Sequence, residues 1–252
     1  MVDRDKLVEY CNKTLNVDKI SDSSLNGLQV EGKNNIRKLV SAVSLTTEVI
    51  EKAVEKNADA ILVHHGIFWS GVRPAITRVM KKRVKLLLDN EMNLLAYHLP
   101  LDLHPIYGNN IQIARTLNLK VDDGFGNYHG FEIGYRGRLK KQTSFKKFVD
   151  LVKRRINPDP LVFDFGKKFI KTVGIISGGA SFGLNEAIEL GLDVFLTGEP
   201  QEFTEGLSKD AKINVIFAGH YATEVFGVKA FGEHLSKKFK IKHEFLDIKE
   251  RL

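Results

Sequence analysis

A chain of 252 residues, 43% of them hydrophobic, carries enough apolar side chain for one large or two small domains, which excludes a disordered protein. No stretch approaches the roughly 20 apolar residues of a membrane span, and the opening MVDRDKLVEY lacks the apolar centre of a signal peptide, so no membrane association is expected. The formal net charge of +7 favours no class by itself, and Cys11, the only cysteine, excludes an intrachain disulfide and makes a cytoplasmic location the expectation.

In chain order, apolar residues at helical spacing predict a first helix over 3–15. A strand over 38–44 and a helix over 46–56 follow, then a strand over 60–63 whose run AILV stops at His64 and His65. A helix is predicted over 73–90 and a strand over 93–97, which leads into YHLPLDLHP with His98, Pro100 and Asp102. After a helix over 109–117 comes VDDGFGNYHGFEIGYRG at 121–137, rich in glycine and poor in period. Helices over 145–156, 183–190 and 223–239 then alternate with strands over 172–176, 194–196, 214–217 and 242–247. Such alternation predicts an α/β fold with mostly parallel sheets. NADAILVHH and ELGLDVFLTGE each follow a helix and run on into a polar loop, which predicts two related α/β lobes, 1–125 and 126–252, divided in the glycine-rich stretch.

Basic residues concentrate in RVMKKRVK (78–85), RLKK (138–141) and KKFVDLVKRR (146–155). Interleaved with apolar residues at helical spacing, they read first as solvated helix faces. A nucleic acid or an anionic small molecule stays open as a partner.

Ligands of open α/β sheets gather beyond the carboxyl ends of strands, and metal-ligand side chains recur there. His64 and His65 follow one strand, His98 and Asp102 another, Glu199 a third, and His220 with Glu224 a fourth. His220 and Glu224 are four apart at the start of a helix and so share one face. His64 and His65 converge only where a regular strand has ended, because neighbours in a strand point to opposite faces; Gly66 permits the irregular backbone. His64, His65 and His220 with the carboxylates Asp102 and Glu224 are too many for one tetrahedral zinc with an open position. They suit two divalent ions sharing a carboxylate, for which Glu224 is the choice, and zinc, iron, manganese, cobalt and nickel all accept these donors. Taken singly, each histidine reads as a hydrogen-bonded core or rim residue, and for His129, His234 and His243 that reading stands. Pro100 is expected to keep the backbone extended, placing His98 at the pocket as a proton-transfer group or as a hydrogen-bond partner of Asp102. Asn26 in LNGLQV and Ser181 in SGGASF are candidate substrate contacts, the latter in a loop that is either a tight turn or a phosphate cradle at a helix N-terminus.

HHGIFWSG, YHLPLDLHPIYGNN and AGHYATEVFGVKAF, with SSLNGLQVEG, IISGGASF and VFLTGEPQE in the same order, resemble the signature blocks of the Nif-three-like family from about residue 22 to residue 247. Its members are widely named GTP cyclohydrolase 1 type 2 homologues. The resemblance implies a dinuclear metal centre on His64, His65, Asp102, His220 and Glu224, two interlinked lobes with the metal site between them, and a toroidal homohexamer. The function expected is a metal-dependent hydrolase acting on a nucleotide or related anionic small molecule, GTP cyclohydrolase type 2-like by resemblance. The alternative is a toroidal scaffold that binds nucleic acid or protein and uses its metals structurally.

Overall fold

In the computed structural model, which describes residues 1–249, the apolar runs of the sequence become the centres of two sheets, each in its own unit. The first unit comprises Met1–Tyr107 and Gly227–Ile248, and the second comprises Gly108–Phe226 together with Lys249. Residues 250–252, the end of the expected C-terminal lobe, lie outside the described residues.

The first unit opens with strand β1 (Val2–Asp3) and helix α1 (Arg4–Thr14), whose first turn is capped by Asp3 accepting from Lys6 N at 3.1 Å. Strands β2 (Gly27–Val30), β3 (Asn35–Ile36) and β4 (Lys38–Ser44) lead to helix α2 (Thr47–Glu55), capped by the Thr46 hydroxyl. Then come strand β5 (Ala60–His65), helix α3 (Arg78–Asp89), strand β6 (Asn93–Ala96) and the single turn α4 (Leu99–Asp102). β4, β5 and β6 pair in parallel. They read LVSAV, AILV and NLLA because a parallel strand is buried on both faces. Val40, Ile50, Ile61, Val63, Leu87 and Leu94 form the core on one side of this sheet.

In the second unit, helix α5 (Asn109–Thr116) is followed by the long strands β7 (Leu119–Tyr128) and β8 (Phe131–Ser144) and by helix α6 (Phe145–Arg155). Strand β9 (Leu161–Asp164), strand β10 (Phe169–Ile175), helix α7 (Gly183–Glu189), strand β11 (Val194–Thr197), helix α8 (Phe203–Ala211) and strand β12 (Asn214–Phe217) complete it. Its six-stranded sheet has the order β7-β8-β10-β11-β12-β9, parallel across β10, β11 and β12 and antiparallel elsewhere. Helix α9 (His220–Phe239) then carries the chain back to the first unit, where strand β13 (Lys242–Phe245) pairs parallel with β4. The five-stranded sheet is complete in the order β13-β4-β5-β6-β2, antiparallel only at β2.

The α/β class is as expected, with the five-stranded sheet mostly parallel, the six-stranded sheet mixed, and β1 and β3 paired antiparallel as a small third sheet. The expected division at 125/126 falls inside β7 instead, because the glycine-rich stretch is a hairpin and not a linker. At its tip His129 (φ +50°) and Gly130 (φ +87°) form the two-residue turn between paired Tyr128 and Phe131. Pro100 likewise does not hold its segment extended. It occupies the first turn of α4, where no N–H is required, and Asp102 N donates to His98 O at 3.1 Å.

Candidate metal centre

β5 and β6 run in parallel, so their carboxyl ends share one edge of the first sheet. β6 stops pairing at Ala96, opposite Val63, while β5 continues along β4 to the pair Ser44 and His65. The strand therefore does not end before the histidines. They approach each other because His64 lies past the end of β6 and can turn over it, and their ring centroids are 4.7 Å apart.

His64 is fully buried and its Nδ1 lies 3.0 Å from the Tyr97 carbonyl oxygen. A carbonyl only accepts, so Nδ1 carries a proton, and Nε2 lies 3.4 Å from Asp102 Oδ2. His65 Nδ1 faces the Ser44 hydroxyl at 3.0 Å. His98 caps α4 and directs Nδ1 to the Asp22 carboxylate at 3.0 and 3.2 Å. Its ring centroid lies 4.8 Å from that of His64 and 5.6 Å from that of His65. Asn26 Oδ1 accepts from His98 N at 2.8 Å, and its amide donates to Asp22 Oδ2 at 2.9 Å. One ligand atom from each of His64, His65 and His98 lies within 4.8 Å of the others, so the three could hold a metal ion.

The second unit builds its own group at the carboxyl ends of β10, β11 and β12. Gly219 (φ +88°) turns the chain into α9, which starts at His220, three residues earlier than periodicity predicts. Its first turn sets His220 Nε2 3.1 Å from Glu224 Oε1, as the spacing of four requires. Nδ1 of the same ring lies 2.6 Å from Glu199 Oε1 in the loop after β11. Burial opposes a charge on this imidazole, yet Glu224 and Glu199 together outweigh it and raise its pKa to about 9. At neutral pH the ring carries its second proton, which a cation at Nε2 would displace.

Gly178, in the loop after β10, has φ +68°, and a Cβ there would stand 2.4 Å from Glu224 Oε1. Only glycine lets the loop pass so close. Its N–H donates to Thr223 Oγ1 at 3.0 Å, tying the loop to the first turn of α9.

Sequence reasoning placed His64, His65, His98 and Asp102 at one sheet end and paired His220 with Glu224. It placed Asn26 as a substrate contact, whereas the structure spends both its amide atoms on the loop that holds His98. Ser181 is fully buried and donates to the Glu199 carbonyl oxygen at 2.5 Å, so its hydroxyl shapes the Glu199 loop and faces no solvent. His98 meets Asp22, not Asp102. His104 accepts from Ile106 N and Tyr107 N, His234 is held between the hydroxyls of Tyr10 and Tyr107, and His243 bonds Ser41. Asp22 was missed altogether, since SDSS reads as a polar turn. Glu199 showed in the sequence only as a carboxylate at a strand end, with nothing to pair it with His220.

The Nδ1 atoms of His64, His65, His98 and His220 are thus engaged in turn by a carbonyl, a hydroxyl and two carboxylates. Oxygen at one imidazole nitrogen fixes the ring and, where it is anionic, raises the basicity of the other; metal-ligating histidines are normally supported in this way. The donors present fit a divalent ion.

The family model for Duf34/NIF3 (NGG1p interacting factor 3) matches residues 2–251. The chain is 41% identical over 241 residues to the GTP cyclohydrolase 1 type 2 homolog of Pseudomonas aeruginosa, spanning 96% of this chain and 95% of that one. It is 38% identical over 247 residues to the homolog of the same name from Pyrococcus horikoshii, spanning 98% of each. Among solved structures, TTHA1606 from Thermus thermophilus superposes with a TM-score of 0.89 at 38% identity, and ybgI, a protein of unknown function, with 0.94 at 34%; each match covers 100% of both chains. Since the likeness extends through both units and every strand end that carries these histidines, the chain belongs to the Duf34/NIF3 family.

Proposed function

We propose that the protein is a metal-dependent hydrolase with a dinuclear centre. Ligands would come from His64, His65 and Asp102 of the first unit and from His220 and Glu224 of the second. The observation that carries this reading is the matched support of the rings, each with an oxygen at Nδ1. Divalent ions held there would supply Lewis acidity and lower the proton affinity of bound water. Five ligands exceed the three of an open zinc site and leave coordination positions for water and substrate. Zinc, iron, manganese, cobalt and nickel all suit the set.

His98 is the proton carrier in this scheme. Its Nδ1 is fixed by Asp22, and Nε2 is the atom able to give or take a proton at the reacting group. The substrate proposed is a nucleotide or related anionic small molecule, as the name shared by the curated relatives suggests. A cytoplasmic, toroidal homohexamer is the assembly proposed.

Metal analysis followed by a hydrolase screen over nucleotides, with each divalent ion in turn, tests the reading. Bound metal and turnover that disappears in His64→Ala are expected. Metal-loaded protein that hydrolyses none of them, yet binds random-sequence DNA with a steep salt dependence, would favour the scaffold.

A further inference from the structure

A cleft of about 400 Å³ in the first unit lies against the histidine cluster, and the metal reading gives its side chains no task. Its walls include Ser24, Leu25, Phe68, Trp69, Arg73 and Met80. Trp69 connects the cleft to the cluster: its ring centroid lies 5.1 Å from that of His98, nearly perpendicular, and 6.0 Å from that of His65. The indole N–H already donates to Gly66 O at 3.2 Å, so what Trp69 offers is apolar ring surface.

Two polar groups of the cleft remain uncommitted. Ser24 is 6% exposed, and its Oγ has no hydrogen-bond partner among the described residues. A buried hydroxyl in that state carries a desolvation cost that a ligand's polar atom removes. Arg73 is exposed on the cleft wall and makes no ion pair among the described residues. Asp22 also lines the cleft, but its oxygens are occupied by His98, Ser24 N, Asn26 and Leu99 N. An apolar slot with a few convergent polar groups is the usual form of a small-molecule site.

We infer that this cleft is the substrate-recognition subsite of the neighbouring metal centre and takes a flat aromatic or heteroaromatic ring bearing an anionic group. The ring packs on Trp69 and Phe68, a polar ring atom or substituent bonds Ser24 Oγ, and the anion pairs with Arg73. This inference rests on the hydrolase reading for its link to chemistry, but the binding itself does not need metal.

Trp69 is the only tryptophan, so its emission reports on the cleft and on the histidine cluster beside it, and the chelator-treated protein isolates the cleft. Phenyl phosphate is titrated into zinc-refilled and chelator-treated protein, with cyclohexyl phosphate as a control in the latter. A saturable change in emission is expected in both preparations, weakened about tenfold by Arg73→Ala and severalfold by Ser24→Ala. Cyclohexyl phosphate should bind more weakly than phenyl phosphate. Neither substitution removes an internal hydrogen bond of that side chain, so both variants are expected to fold. Zinc content is measured on the same samples. Protein that binds zinc but shows no saturable response, or one equal in wild type and both variants, overturns the subsite and leaves the metal centre standing. A saturable, Arg73-dependent response in protein that binds no zinc keeps the cleft's ligand class and overturns the metal reading instead.

Discussion

Asp22→Asn probes the idea that each imidazole is held by the oxygen at its Nδ1. The Asp22 side chain is 1% exposed and accepts from His98 Nδ1 at 3.0 Å, Ser24 N at 3.1 Å, Asn26 Nδ2 at 2.9 Å and Leu99 N at 2.9 Å. Burial opposes its charge, but His98, Asn26 and Ser24 N outweigh burial and hold the carboxyl well below the usual carboxylate range. Asparagine keeps the shape, removes the charge and turns one acceptor into an amide that faces donors. A hydrogen bond to a charged group contributes about 1.5–3 kcal/mol, and a donor left facing a donor adds to the loss, so about 3 kcal/mol is expected. Against a total stability of about 5–15 kcal/mol the variant stays folded. With His98 no longer oriented, turnover should fall by about 10²–10⁴-fold while zinc stays bound through His64 and His65. Urea unfolding, and turnover with zinc content measured on the same sample, all at pH 7, measure the two effects. Because the folded-state pKa lies below the unfolded value of about 4, the carboxylate's contribution is present above that pH and fades as pH drops towards the folded value. The stability gap between wild type and variant should therefore close in acid. Equal urea midpoints with equal turnover, or zinc lost together with turnover, would refute the argument.

Protein refilled with zinc or manganese should hold about two ions per chain by elemental analysis, and Glu224→Gln should lose both together if that carboxylate bridges them. Gly178→Ala should lower stability by about 1–3 kcal/mol in thermal unfolding and weaken metal binding, because its Cβ would meet Glu224 Oε1 at φ +68°. Asp193 accepts from Lys167 Nζ, Lys171 N and Thr172 N, which together outweigh burial and depress its pKa. Asp193→Ala should cost about 1–3 kcal/mol at pH 7 in urea, and less as pH falls below about 4, where the unfolded chain takes up a proton that the folded carboxylate, with its depressed pKa, resists. Sedimentation velocity at micromolar concentration should give a single closed oligomer of hexameric mass, and a lone monomer peak would contradict the proposed assembly.

What the sequence made legible was local. The buried strands of the first sheet show as apolar runs, and His220 with Glu224 shows as a spacing of four on one helix face. Even the histidine pair was legible, although the geometric reason inferred for it was not the one found: the neighbouring strand ends, while theirs continues. Contacts between distant segments left no such trace. Asp22 meets His98 across 76 residues and Glu199 meets His220 across 21, with no periodicity to announce either. The hairpin of β7 and β8 was hidden by its turn, since His129 adopts the left-handed conformation that Asn or Asp would have signalled. Helix α8 was hidden by Gly206 and by a thin apolar stripe in FTEGLSKDA.

The division between local and distant signals is also a division of chemical labour. Histidines at strand ends supply nitrogen donors, but a donor is useful only in the right tautomer, and the tautomer is set by whatever the fold brings to the other nitrogen. In the first unit those partners differ in kind. The neutral Tyr97 carbonyl and Ser44 hydroxyl orient His64 and His65 without adding charge, whereas the partner of His98 is the Asp22 carboxylate. An imidazole meant only to coordinate needs orientation alone. One meant to exchange a proton benefits from a nearby anion that stabilises its charged form. Within the first unit, the carboxylate behind His98 sets the ring proposed to move the proton apart from His64 and His65, proposed to hold the ion, although Glu199 puts a carboxylate behind the proposed ligand His220 as well. Asp22→Asn separates the two tasks, because it strips that anion from His98 while leaving the Tyr97 and Ser44 contacts in place.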